Sequence, residues 1–141
     1  MISSYKARFF KIQELVPESV YEERGEKSWQ LLDFRAVENL DSLRAQLGVP
    51  LTVNNWDIGG TRDESGLRVT GMEYYSPYSQ HSFGRAFDSV CEIPAAEIRH
   101  RLKEGSITLP HPACFEEFEG MNWLHMDVRN MRNNHAYFFK P

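Results

Sequence analysis

Cysteine is scarce. Cys91 and Cys114 are the only two in 141 residues, too few and too irregularly placed for a disulfide framework or a cysteine-built zinc site, so each reads as a buried thiol. Long apolar runs are missing as well: nothing approaches the roughly 20 apolar residues of a membrane span. The N-terminal segment is interrupted by Lys6, Arg8, Lys11 and Glu14, so it holds no apolar stretch of the signal-peptide type. The expectation is a soluble chain made in the cytoplasm without a signal peptide. Basic charge is also in short supply, with 16 Lys and Arg against 20 Asp and Glu and a net charge of −4. That removes the electrostatic footprint phosphate-backbone binding needs, and nucleic acid is not expected as a partner.

What is present is an ordinary globular balance, 41% hydrophobic and 26% charged, enough to build one core. A single domain over residues 1–141 is expected, as a monomer. Residues 28–47 read as a helix, with Val37, Leu40, Leu43 and Leu47 on one side and Arg35, Glu38, Asp41 and Arg44 on the other. Gly48 and Pro50 stop it. Leu51, Thr52 and Val53 form a short β-type run, and residues 54–77 are a long loop rich in Gly, Asn, Asp and Ser. Loops of that length in a compact domain often carry function, making this one a candidate wall for a binding site.

Residues 84–90 alternate as a strand should, and residues 94–103 repeat as a second helix through Ala95, Ile98 and Leu102, ended by Gly105. Residues 122–128 are a second strand: Trp123, His125 and Asp127 point one way, Leu124, Met126 and Val128 the other. The apolar face can pack on a helix while the other presents His125 to a cleft. Helices and strands do not alternate regularly, which predicts an α+β fold with a small antiparallel sheet flanked by helices.

Two segments carry metal-ligand chemistry. In the first, a turn containing Gly84 can bring His81 and Asp88 together; the second supplies His125 and Asp127. Two neutral nitrogens and one carboxylate oxygen form the three-ligand set of a zinc site that leaves its fourth position open. Hard cations want more oxygens, and structural zinc usually takes a fourth protein ligand. One zinc per chain is the ion these donors suit best, but spacing alone is a weak signal: a His followed seven residues on by an Asp is common, and His125 within a strand reads more often as an ordinary half-buried histidine. Asp127, on the His125 face, is expected to hydrogen-bond a ligand histidine, and Ser79 to steady the His81 turn. Trp123 either walls the cleft or packs beside it. His100, His111 and His135 fall outside both segments and read as surface or structural residues.

Ser79-Gln-His81-Ser-Phe-Gly84-Arg-Ala86-Phe-Asp88 resembles the SxHxxGxAxD signature of the zinc D-alanyl-D-alanine carboxypeptidases and L-alanyl-D-glutamate endopeptidases, a family that includes phage endolysins and is related in structure to the hedgehog signalling domain. Trp123-Leu-His125-Met-Asp127 is similar to its second signature, WxHxD or WxHxE. The resemblance covers residues 51–129 and implies a hedgehog-like fold with His81, Asp88 and His125 as zinc ligands. Ser65-Gly66-Leu67-Arg68 is similar to the family's SGxR segment, which implies that Arg68 binds a substrate carboxylate or polarises the scissile carbonyl; Arg62 is the alternative. Many members carry an acid or a histidine three residues before the last ligand histidine. Here that residue is Asn122, which cannot accept a proton from water. Glu119 is the expected general base, since hedgehog domains have a Glu at the matching offset, with Glu116 and Glu117 as alternatives.

The resemblance implies zinc-dependent hydrolysis of an amide bond in a peptidoglycan stem peptide, and a likeness to phage-encoded members. The protein would then meet the cell wall after lysis or as part of a virion. A different class competes: an inactive zinc-binding module serving as a phage structural or wall-recognition component.

Overall fold

The computed structural model describes residues 5–131 and 136–141. Among these residues three α-helices and four strands form an α+β fold. The helices are α1 (Glu18–Arg24), α2 (Phe34–Leu47) and α3 (Ala95–Glu104), and the strands are β1 (Ala86–Ser89), β2 (Cys114–Glu116), β3 (Leu124–Asp127) and β4 (Tyr137–Phe139). The sheet order is β1-β3-β2-β4. β3 runs antiparallel to both β1 and β2, but β4 pairs with β2 in parallel, so the sheet is mixed and not the purely antiparallel one expected. β4 is a short aromatic segment whose pairing comes from tertiary packing, with Phe138 stacked on Phe115 at 5.0 Å; no local pattern announces such an edge strand.

One face of the sheet and the apolar sides of α2 and α3 make the core. Val37, Leu40 and Leu43 from α2, Ile98 from α3, Phe87 from β1, Phe115 from β2 and Leu124 with Met126 from β3 are all buried together. Each such side chain contributes roughly 1.5–3 kcal/mol of transfer free energy. The expected alternation in β3 is present, and its opposite face is left for polar groups.

The helix expected over residues 28–47 is shorter. Residues Gly25–Leu31 form a 3-10 segment, and α2 starts only at Phe34. Asp33 breaks the run: its carboxylate caps α2 by accepting from the Arg35 amide at 3.0 Å, while its own amide donates to the Gly84 carbonyl at 2.9 Å. Gly84 is the reciprocal requirement. It has φ of 68°, and a Cβ there would collide with the Leu31 carbonyl, so only glycine permits this docking. Asp41 also departs from expectation. It lies on no solvent face but is fully buried, accepting from the Tyr5 hydroxyl at 2.7 Å and from the amides of Arg8 and Phe9 at 2.6 and 3.1 Å.

The expected loop at residues 54–77 is a tied structure. Asn54 is buried; its side chain donates to the Val16 carbonyl at 3.2 Å and accepts from the Ser65 amide at 3.0 Å. The Leu67 amide donates to the Leu15 carbonyl at 3.0 Å, and Leu67 packs with Ile12, Val16 and Val20 in a second apolar cluster. Thr52 joins Val90 in an isolated antiparallel bridge. The N-terminal segment thus ties the loop in place through the Leu15 and Val16 carbonyls. Among the described residues, no helix is long and apolar enough to cross a membrane.

Candidate metal centre

Strand register builds most of the site. On the polar face, Asp88 of β1 lies directly opposite His125 of β3, and Glu116 of β2 lies opposite His125 on its other side. Directly opposed residues of antiparallel strands have neighbouring side chains. Asp88 Oδ1 is 2.9 Å from His125 Nδ1, and Glu116 Oε2 is 3.9 Å from the same nitrogen.

His81 comes from the turn before β1. Ser79 caps the 3-10 turn Gln80–Phe83 by accepting from the His81 amide at 3.2 Å, and Gly84 closes it. The buried His81 ring donates from Nδ1 to the Gly66 carbonyl at 2.9 Å, which leaves the Nε2 lone pair facing Asp88 Oδ2 at 3.3 Å. His125 has the opposite arrangement. Its Nε2 donates to Asp127 Oδ2 at 2.7 Å, so Nδ1 turns toward Asp88. The expected ligand atoms of His81, Asp88 and His125 all lie within 4.8 Å of one another, in a group that could hold a metal ion.

The loop supplies the next layer. The Ser65 carbonyl accepts from the Asp88 amide at 2.7 Å, and the Arg68 amide donates to the His81 carbonyl at 3.2 Å. Arg68 reaches Asp88 Oδ2 with one terminal nitrogen at 3.2 Å while its Nε donates to the Glu64 carbonyl at 2.7 Å. Arg62 is spent on structure: it donates to the Val53 carbonyl at 2.9 Å and to Ser65 Oγ at 3.0 Å. Arg68, His81, Asp88, Glu116 and His125, with Tyr78, Trp123 and Arg129, border a cleft of about 270 Å³.

Charge balance follows from the pairing. Burial works to raise the Asp88 carboxyl, but the hydrogen bond to His125, with the His81 ring beside it, overcomes this and holds the group well below the usual carboxylate range. Burial likewise disfavours a charged His125, yet Asp127 and Asp88 push it up to about 9. Asp127 is lowered to about 2 by Arg129 and His125, against burial. The Cys114 thiol, raised to about 11 by burial and by Asp127, is an unreactive buried group, and both cysteines are free.

Glu119, the expected base, does not line this cleft. β2 ends at Glu116 and the chain turns back through Phe118 and Met121, whose backbones bond at 3.1 Å. The exposed Glu119 is carried into a separate groove beside Arg99 and Met121. Glu117 is held by Lys103 at 2.7 Å, and Asn122 is exposed in the same groove as Glu119. Glu116 is the carboxylate at the site. Trp123 does line the cleft, braced edge-on by Phe118 at 5.4 Å. His100 pairs with Glu104 at 3.3 Å and His111 with Glu38 at 2.6 Å, both as surface contacts; His135 lies outside the described residues.

Arg129 was not anticipated. It grips Asp127 with Nε on Oδ1 at 2.8 Å and a terminal nitrogen on Oδ2 at 2.6 Å. Its position two residues beyond Asp127, itself two beyond His125, was the available signal. Comparison with models of protein families, with curated proteins and with solved structures gives no match.

Proposed function

We propose that the chain is a zinc-dependent peptidase that hydrolyses an amide bond in peptidoglycan stem peptides, either the terminal D-Ala-D-Ala bond or the internal L-Ala-D-Glu bond. The observation that carries this reading is the convergence of Glu116 and Arg68 on the His81, Asp88 and His125 group, at the edge of one cleft. The donor set suits zinc. Bonds of about 2.0–2.1 Å in a tetrahedron place ligand atoms about 3.3 Å apart, and His81 Nε2 stands 3.3 Å from Asp88 Oδ2. Both imidazoles spend their second nitrogen on a fixed acceptor, as zinc-ligand histidines do. The resemblance of the two segments to the peptidase family supplies the substrate class.

A zinc ion bound there would supply the Lewis acidity that polarises a carbonyl and acidifies water. The chain's own groups do the rest. Glu116, its Oε2 3.9 Å from His125 Nδ1, would accept a proton from the water that adds to the amide carbon and return it to the nitrogen as the C–N bond breaks. Arg68, with its Nε on Glu64 and one terminal nitrogen on Asp88, keeps donors for the carbonyl oxygen as it gains charge, or for a substrate carboxylate. Delivery to the wall after lysis, or on a virion, completes this reading.

The rival, a zinc-binding module without turnover, draws on the location of Glu119 and Asn122 outside the cleft. Glu116 supplies the carboxylate that the rival lacks. Elemental analysis of the purified protein, paired with mass spectrometry of peptidoglycan digested by wild type and Glu116→Gln, separates them. One zinc per chain with new stem-peptide fragments, lost in the variant, is the expected result. Zinc without fragments establishes the module, and absence of zinc after metal-replete purification overturns both.

A further inference from the structure

We propose that Arg129 is a positioning residue for the metal centre: by fixing Asp127 it decides which nitrogen of His125 is offered to the ion. This rests on the metal-binding reading above and extends it to a residue in neither signature segment.

A neutral imidazole carries one N–H, and the nitrogen that donates determines which nitrogen keeps a lone pair for a metal. Both nitrogens of His125 face carboxylates, Nδ1 the Asp88 Oδ1 at 2.9 Å and Nε2 the Asp127 Oδ2 at 2.7 Å; with a metal ion in place of the Nδ1 proton, Nε2 would be the donor and Asp127 its acceptor. Asp127 has no accessible side-chain surface, so water cannot hold its carboxylate in place. Arg129 does. Two parallel hydrogen bonds of 2.8 and 2.6 Å run from its guanidinium to the two oxygens, and its backbone amide adds a third to Oδ1 at 3.1 Å. A planar fork on a planar carboxylate fixes the carboxylate's rotation, which a single point charge does not.

The fork is itself held. The Arg129 guanidinium lies over the Phe139 ring at 4.5 Å, so the C-terminal strand β4 backs the arginine. The line Phe139, Arg129, Asp127, His125 therefore runs from the edge strand to the metal-facing Nδ1. Without the fork, Asp127 is free to turn about its Cβ–Cγ bond, and His125 loses the acceptor that selects its tautomer. Groups that orient ligand histidines in this way typically account for about 10–100-fold in metal affinity.

The test is zinc affinity by chelator competition, together with the nitrogen-15 NMR tautomer of His125, in wild type, Arg129→Met and Arg129→Lys. Arg129→Met removes charge and fork together and can compromise folding, because it strips a buried carboxylate of its partner. Arg129→Lys keeps the charge, protects the fold and removes only the parallel bonds. Both folded variants are expected to bind zinc about 10–100-fold more weakly, with the wild-type signal of protonated Nε2 and zinc on Nδ1 lost or mixed. A fold defect alone does not move the tautomer. Arg129→Lys with affinity within about twofold of wild type and an unchanged tautomer overturns the proposal. Failure of the wild type to bind zinc overturns the metal reading instead, so the two failures are distinct.

Discussion

Glu116 faces His125 across the β2–β3 pair, its Oε2 3.9 Å from the Nδ1 that also faces Asp88. That register makes Glu116 the group to test as proton carrier. Glu116→Gln keeps the shape of the side chain and removes its basicity, so the expected outcome is a loss of about 10²–10⁴ in kcat with zinc content unchanged. Glu119→Gln, in a separate groove, is expected to leave kcat within about twofold of wild type. Hydrolysis assays on purified stem peptides, with zinc measured on the same samples, check both. Equal activity in Glu116→Gln and wild type would remove the assignment.

Binding to the folded state alone stabilises it, by about 4 kcal/mol when free ligand is a thousandfold above Kd. Because His81, Asp88 and His125 come from a turn and two strands, the ion should bind the folded chain far better than the unfolded one. Chelator treatment is therefore expected to lower Tm by several degrees, with recovery on adding zinc. His81→Ala and Asp88→Asn should abolish the recovery. A Tm indifferent to chelator and zinc would show that no ion contributes to the fold.

Proton linkage gives a pH signature. In the protein without metal, the His125 pKa is raised from 6.5 to about 9, so the folded state keeps a proton that the unfolded chain gives up. This group's stabilisation is complete below about pH 6.5 and is lost as pH rises toward 9. Asp88 and Asp127 are lowered from 3.8, so their contribution is present above about pH 4 and lost in stronger acid. Chelator-stripped protein should melt highest between about pH 4 and 6.5 and lower toward pH 9. A zinc ion bound at Nδ1 would replace that proton, so loaded protein should lack the alkaline decline, and zinc uptake at pH 7 should release about one proton. Calorimetry in buffers of different ionisation enthalpy measures the release; zero release would contradict the charged His125.

Much of the site was legible because the chemistry lies in short segments with strict period. The alternation of residues 122–128 put His125 and Asp127 on one face, and the cap, histidine and glycine at Ser79, His81 and Gly84 encode a turn locally. The purely antiparallel sheet was not upheld, because β4 pairs through contacts distant in sequence. Asp41 reads as a surface residue on its own helix, and only docking of residues 5–9 buries it. Glu119 lies outside the cleft for a similar reason: offset along the chain does not reveal that β2 stops at Glu116. Arg129 escaped notice because an arginine acquires its role here from a carboxylate already committed to a histidine.

Gly66 ties the loop to His81. Its carbonyl accepts the His81 Nδ1 proton at 2.9 Å, and a Cβ at this position would run into the Leu15 carbonyl. Leu15 is fully buried, and its carbonyl already accepts from the Leu67 amide at 3.0 Å, so backbone on both sides must move to admit one methyl group. Gly66→Ala is expected to cost about 1–3 kcal/mol of stability, as overpacking does. The displaced carbonyl would also release His81 from the tautomer that points Nε2 at Asp88, weakening zinc binding by about tenfold or more. Arg62→Ala removes bonds to Val53 and Ser65 within the same loop but leaves the Gly66 carbonyl unobstructed. It should lower Tm with a smaller effect on zinc. Chemical denaturation and chelator competition on the two variants separate these effects; equal zinc affinities in Gly66→Ala and wild type would show that the loop does not orient His81.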